Sequence, residues 1–461
     1  MKKMRTRIAL VMCAASLAGC SMMPAYERPA APVPGEWPYA AASTGNPASE
    51  LKWEDFFADA RLKLLIAIAL RNNRDLRVAV LNIEQARAQY DIRRADRFPS
   101  VGVTAGGSRT PKSGGGTTSA YTAGLAFTAW EIDLFGRVAS LGEAALAQYL
   151  ATEEGRKAAQ TSLISAVANN WLALLADEEL IALTRQTLAT REESLRLTKL
   201  RFDHGVASEL DFRQAQSLVE GARVTLSQLI RQRAIDLNAL ALLLGQAVPS
   251  DFQPAADTAS VALPDPPAGM PSDVLVRRPD VRQAEQQLIA ANANIGAARA
   301  AFFPRITLTA GIGTASSELS GLFKGGSWGW PAAPQLLQPI FDAGRNRAGL
   351  AAAHASRDIA VAQYEKAIQS AFREVADALA GRATFGEQLQ AQRNVADAEA
   401  VRYRLSELRY NAGVASYLDL LDAQRSLFAA RQALVQTRLQ QLQNQVQLYK
   451  ALGGGWEPRQ D

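Results

Sequence analysis

Cysteine is almost missing from this chain. Two occur in 461 residues, Cys13 and Cys20, both within the first twenty. A disulfide framework and a cysteine-built zinc site are therefore excluded. Histidine is as scarce, at His204 and His354, and no HExxH, GxSxG or Walker pattern occurs. His204 becomes an alanine in the internal copy described below. Nothing supports a hydrolase, a metalloenzyme or a nucleotide-driven enzyme, so no catalytic residue, metal or non-covalent cofactor is expected. Methionine numbers six and is unclustered, which argues against a copper-handling specialist. Proline is missing from Gly136 to Pro249 and again from Pro339 to Pro458. Such stretches leave room for helices of unusual length. At 48% apolar and 21% charged, the chain is neither a disordered polymer nor an all-apolar bundle.

The first residues read as a signal. Lys2, Lys3, Arg5 and Arg7 precede the apolar run "IALVMCAASLAGC". The run ends Leu17-Ala18-Gly19-Cys20, which looks like a bacterial lipoprotein box with cleavage before Cys20 and lipid on Cys20. An ordinary signal with an incidental cysteine is the plainer alternative. Removing residues 1–19 leaves 46 basic against 45 acidic residues, so the formal +5 falls to +1. A nucleic-acid partner loses its main support. Ser21 after the lipidated position implies delivery to the outer membrane.

What the chain has in abundance is itself. "LRFDHGVASELDFRQAQS" returns as "LRYNAGVASYLDLLDAQRS", with Gly205 and Gly413 208 residues apart. Asp75 to Pro99 and Asp280 to Pro304 both span 24 residues. Gly136 to Gly205 and Gly344 to Gly413 both span 69. Only the segment from Pro to Gly differs, 37 residues against 40. The boundaries expected are a signal peptide at 1–19, a lipidated extended segment at 20–60, repeat 1 at 61–248, an irregular linker at 249–271, repeat 2 at 272–455 and a tail at 456–461.

Within each repeat the period changes. Val167, Leu174, Ile181, Leu188, Leu195 and Phe202 fall at a spacing of seven, the mark of a long helix packed in coiled-coil fashion. Ile368, Phe372, Val375 and Leu379 show helical spacing in the second copy. Gly205 and Gly413 suit helix ends, and Ser208 and Ser416 suit N-caps, with Asp211 and Asp419 completing capping boxes. Each GVAS is then the tip of a long antiparallel hairpin. At about 100–132 and 304–340 the period becomes two, giving two strands per copy. Tyr121, Ala123, Leu125 and Phe127 alternate with small or polar residues, as do Ile306, Leu308, Ala310 and Ile312. Such runs match transmembrane strands, with Trp130, Trp328 and Trp330 as an interfacial girdle; a soluble sheet is the alternative. Four strands cannot close, and open edges cannot sit in lipid. Two copies would supply eight strands and three would supply twelve, and a tube of long helices favours three.

"LAGCSMMPAYERP", "WEIDLFGR", "RRPDVRQAEQQLIAANANIGAARAAFFPRITL" and "RYNAGVASYLDLLDAQRSLF" resemble the outer-membrane factors of tripartite efflux pumps. The resemblance is to the lipoprotein branch typified by OprM and NodT, distant relatives of TolC. It implies a mainly α protomer of a homotrimer, whose twelve-stranded β-barrel continues as an α-helical barrel with a mixed equatorial belt. It implies a periplasmic adaptor and an inner-membrane RND-type pump as partners, and passage of cargo without covalent chemistry. By motif, Leu418 and Asp422 would narrow the pore, Asp419 would lie nearby, and Tyr410 and Arg425 would help hold an iris shut. A solvated helix face explains Asp422, and the cap alone explains Asp419, as plainer readings. The exposed tips Gly205, Val206, Ala207, Ser208, Gly413, Val414, Ala415 and Ser416 would meet the adaptor, although turn chemistry already explains the glycines and serines. A conduit for type I protein secretion and a structural coiled-coil lipoprotein remain the alternatives.

Overall fold

The computed structural model describes residues 21–39, 51–249, 258–265 and 267–456. The expected signal peptide, Cys20, part of the linker and nearly all of the tail lie outside the described residues.

Elements come in two matched sets. After α1 (Trp53–Phe56), the first set is α2 (Ala60–Asn72), α3 (Arg74–Ala95), β1 (Gly102–Pro111), β2 (Thr117–Ile132), α4 (Arg137–Asp203) and α5 (Glu209–Leu244). The second is α6 (Pro271–Arg277), α7 (Pro279–Ala300), β3 (Arg305–Ser316), β4 (Trp328–Gly329), β5 (Ala332–Leu337), α8 (Arg345–Asn411) and α9 (Tyr417–Ala451). The equal spacings in sequence become equal helices. Both α3 and α7 have 22 residues, and both α4 and α8 have 67. At a rise of about 1.5 Å per residue the latter pair are each about 100 Å long. No described helix is long and apolar enough to cross a membrane. The segment expected to be extended up to residue 60 does contain one turn, α1, because Phe56 stacks on Tyr449 at 4.0 Å.

The chain divides into two compact units. One comprises Met1–Ala30, Leu81–Glu154 and Arg282–Lys366 and holds the sheet. Strands β1, β2 and β3 form antiparallel neighbours, and β4 and β5 both pair with β3. Two strands were expected in the second copy and three pieces are found. The interruption is at Trp330-Pro331: a proline has no N–H for the ladder. The two pieces still follow one line, since Gly311 N donates to Pro331 O at 3.0 Å between them. Residues directly opposite one another share a face. Val103, Leu125 and Ile312 are opposite in turn, and all three are exposed. Ile132, Ile306 and Leu336 are likewise opposite in turn lower in the sheet, with Leu336 exposed and the two isoleucines half-buried. A large apolar band on a sheet face marks a non-aqueous neighbour. At Gly124 and Gly313, paired across β2 and β3, an added Cβ would come within 2.4 and 2.3 Å of a backbone oxygen. Below the sheet, Glu131 joins Arg137 at 2.7 Å and Arg305 at 2.6 Å, which ties the end of β2 to the start of α4. The segment after Cys20 is strapped along α7. Arg28 grips Glu285 through Nε at 2.6 Å and Nη2 at 3.0 Å, and Asn292 donates to Pro24 O at 2.9 Å.

The other unit comprises Ala31–Val80, Gly155–Val281 and Ala367–Asp461. Its two hairpins are anchored by the same bond made twice. In the first copy Asn73 Nδ2 donates to Leu243 O at 2.9 Å. In the second Arg278 Nη1 donates to Ala451 O at 2.8 Å. Each bond fastens the entry of a helix to the last turn of the returning one. Both return helices then end on a left-handed glycine, Gly245 at φ 67° and Gly453 at φ 84°. Arg278 is buried and adds Asp280 at 2.6 Å and Glu374 at 2.7 Å. The heptad column of α4 is buried at Val167, Leu174 and Ile181, but Leu188 and Leu195 are only half-buried and Phe202 is exposed. Toward the tip the buried column is instead polar: Asp177, Thr184, Arg191 and Thr198, again seven apart.

Arg278→Ala removes one buried cation, strips Asp280 and Glu374 of their ion pair and leaves the Ala451 carbonyl without its donor. It should destabilise the fold by about 2–4 kcal/mol, which denaturant titration followed by circular dichroism would measure. Asn73→Ala, with no charge to strand, should cost about half as much or less.

Candidate functional site at the hairpin tips

Both tips are built alike. Gly205 sits at φ 71° and Gly413 at φ 73°, the left-handed backbone that a side chain would strain. The overlapping bonds of a Schellman motif follow: Val206 N donates to Arg201 O at 2.8 Å and Val414 N to Arg409 O at 3.0 Å. Ser208 Oγ accepts from Asp211 N at 3.1 Å, and Ser416 Oγ from Asp419 N at 3.2 Å. Both aspartates return the bond to the serine N–H, so the expected capping boxes are present twice. Each is worth about 1 kcal/mol. Val206 and Val414 are exposed, the former at 76%.

Under the tips the hairpins meet in a small core of Ala215, Leu218, Tyr417, Leu420 and Leu421, against which Tyr410 packs. Arg201 Nη1 donates to Tyr410 Oη at 2.5 Å and lies over its ring at 5.4 Å. The Tyr410 ring is 5.3 Å from that of Tyr417, whose hydroxyl shares a hydrogen bond with Ser194 at 3.0 Å. The first hairpin is thus tied to the second by a chain of polar contacts through Tyr410. Leu418 points away from this core and is 53% exposed, while its neighbours Leu420 and Leu421 are buried. Asp422 is not a bare carboxylate. It pairs with Arg402, which also holds Glu399 at 3.1 Å and Ser426 at 3.2 Å. Asp419 spends its side chain on the cap. Arg425 makes no hydrogen bond or ion pair with any described residue.

The family resemblance named Tyr410, Asp422 and Arg425, which a comparison of the copies shows changed from Phe202, Gln214 and Ser217, and it missed Arg201 and Arg402. The same comparison could have found Arg402, which stands where the first copy has Ser194. Arg201 could not be found that way, because Arg409 matches it. Only the tyrosine facing it in space distinguishes the two.

A family model described as "Outer membrane efflux protein" matches residues 65–246 and 270–454, the two repeats in turn. The chain belongs to the outer membrane efflux protein family. Among curated relatives of this efflux protein, the "Toluene efflux pump outer membrane protein TtgC" of Pseudomonas putida is 49% identical, over 98% of this chain and 96% of its own. "Outer membrane protein OprJ" of Pseudomonas aeruginosa is 46% identical, over 99% and 97%. Among solved structures, the open state of the Neisseria gonorrhoeae MtrE outer membrane channel superimposes with a TM-score of 0.88 at 42% identity, covering 95% of this chain and 98% of that one. The expected fold class, a mainly α tandem-repeat protomer with a membrane β part, is therefore borne out, as is its place in the outer membrane. The efflux protein's sheet and tips are features that fit a channel family.

Within the first hairpin, Asp177 titrates far from its ordinary range. Burial, then the neighbouring Asp236 and Glu178, push the Asp177 carboxyl up to about 7. In the unfolded chain it ionises near 4. Its contribution to stability is thus complete below about 4 and is lost as pH rises through 7. Asp177→Asn should raise the thermal midpoint at pH 8 and lose that advantage by pH 4.5. Equal pH dependence in both proteins would contradict the shift.

Proposed function

We propose that the chain is the exit duct of a tripartite efflux system. Three copies close one twelve-stranded barrel in the outer membrane and continue as a barrel of α4, α5, α8 and α9. Cargo handed over by an inner-membrane RND-type pump and a periplasmic adaptor passes through the lumen to the exterior. The chain performs no covalent step, and its only attached group is the lipid on Cys20. The observation that carries this reading is the sheet: an exposed apolar band, and two edges, β1 and β4–β5, that no strand among the described residues continues. Unpaired edges are not tolerated in hydrocarbon, so the ladder has to continue onto further copies.

The tips form the closed end of the duct. Leu418 and Asp422 line the constriction, with Asp419 beside them. Tyr410 holds the second hairpin to Arg201 of the first, and Arg425, without a partner among the described residues, is available to a neighbouring copy. Each Asp422 brings its own Arg402, so the ring of carboxylates is partly neutralised and its preference for cations is modest. The residues Gly205 to Ser208 and Gly413 to Ser416 meet the adaptor, because small side chains admit a close helical partner. Asp422→Ala combined with Tyr410→Phe should raise single-channel conductance in planar bilayers several-fold. Conductance equal to the unaltered protein would remove the gate from these residues. Replacing Cys20 by alanine should abolish incorporation of labelled palmitate, and continued labelling would place the lipid elsewhere.

A further inference from the structure

A niche lies between α4, α8 and α9, one to two helical turns back from the tip core. It encloses about 240 Å³ and is lined among others by Thr187, Thr190, Arg191, Tyr403, Gln424 and Arg431. None of its ten lining residues is acidic. Arg191 belongs to the buried polar column of α4 and is 6% exposed. Its Nη1 donates to Leu218 O at 3.1 Å, and its guanidinium lies 5.1 Å from the Phe428 ring centre. Its Nε is buried and has no partner. No carboxylate pairs with Arg191 among the described residues. The charge that acts on it is another cation: burial, then Arg425, lower its pKa. A guanidinium taken out of water without a counter-charge is costly, and natural proteins rarely leave one so.

The niche offers acceptors as well as donors. Gln424 is 9% exposed and its Oε1 is buried without a partner. The hydroxyls of Thr187 and Thr190 already donate to Leu183 O and Gln186 O, so only their lone pairs face outward. Arg431, exposed, stands at the rim. A ligand that satisfies all of them must carry negative charge, several oxygens and at least one O–H. A halide or a neighbouring copy's carboxylate has no such donor.

We propose that this niche binds an oxyanion of the hydrogen phosphate type, held by Arg191 at its base and Arg431 at its rim. Such an ion pins α4 of the first hairpin to α8 and α9 of the second. It is a binding site separate from the tip contacts through Tyr410 and Asp422, and it does not depend on what the duct carries.

The test is calorimetric titration of sodium phosphate into the full-length protein in detergent, at constant ionic strength. Saturable heat with about one site per chain is expected. Arg191→Met should weaken binding at least tenfold. Arg431→Gln, on an exposed residue that folding does not need, should weaken it at least threefold, and its circular dichroism should stay unchanged. Sulfate, which carries no hydroxyl at neutral pH, should bind at least threefold more weakly. No saturable heat, or the same affinity in Arg431→Gln, would overturn the site. Equal affinity for sulfate would overturn the assignment to a hydrogen-bearing oxyanion.

Discussion

A backbone amide in hydrocarbon must find a partner in its own protein, and the two open edges of this sheet have none among the described residues. The rest of the structure answers to that constraint. The main strands are paired antiparallel and carry apolar residues in rows across the sheet. Glycine at positions 124 and 313 lets two backbones meet where any side chain would collide. The Glu131 cluster then passes the position of β2 directly into the first turn of a long helix. The end of the strand thus fixes the start of the helix.

Duplication was the most legible feature in the sequence, because spacing survives where residue identity does not. Equal intervals between Asp, Pro and Gly gave helices of equal length to the residue. The turn chemistry was legible too, since Gly and Ser at a GVAS turn leave few backbone choices. Less could be read where the outcome depends on contacts distant in sequence. The last strand is split because Pro331 has no amide hydrogen, and an alternating pattern does not register that loss. The apolar column of α4 suggested a seam along the entire helix. Near the tip the seam is held instead by Thr184, Arg191 and Thr198, whose polarity hid their burial.

The candidate site was half visible for the same reason. Comparison between copies marks residues that changed, such as Asp422, but does not show what they touch. Arg402 alters the meaning of Asp422, turning a charged rim into a paired one. Arg201 is unchanged between copies and acquires its role only because Tyr410 replaces a phenylalanine opposite it. A repeated scaffold thus supplies the geometry, while a handful of unmatched side chains makes one hairpin differ from the other.

The equality of α4 and α8 has a consequence for what the gene can tolerate. A single-residue deletion in either helix would shorten it by about 1.5 Å and turn everything beyond it by about 100°. The altered tip would present the wrong side of its helix, even with every contact residue intact. Single-residue changes of length in either helix are therefore excluded by geometry, much as one leg of a trestle cannot be cut alone.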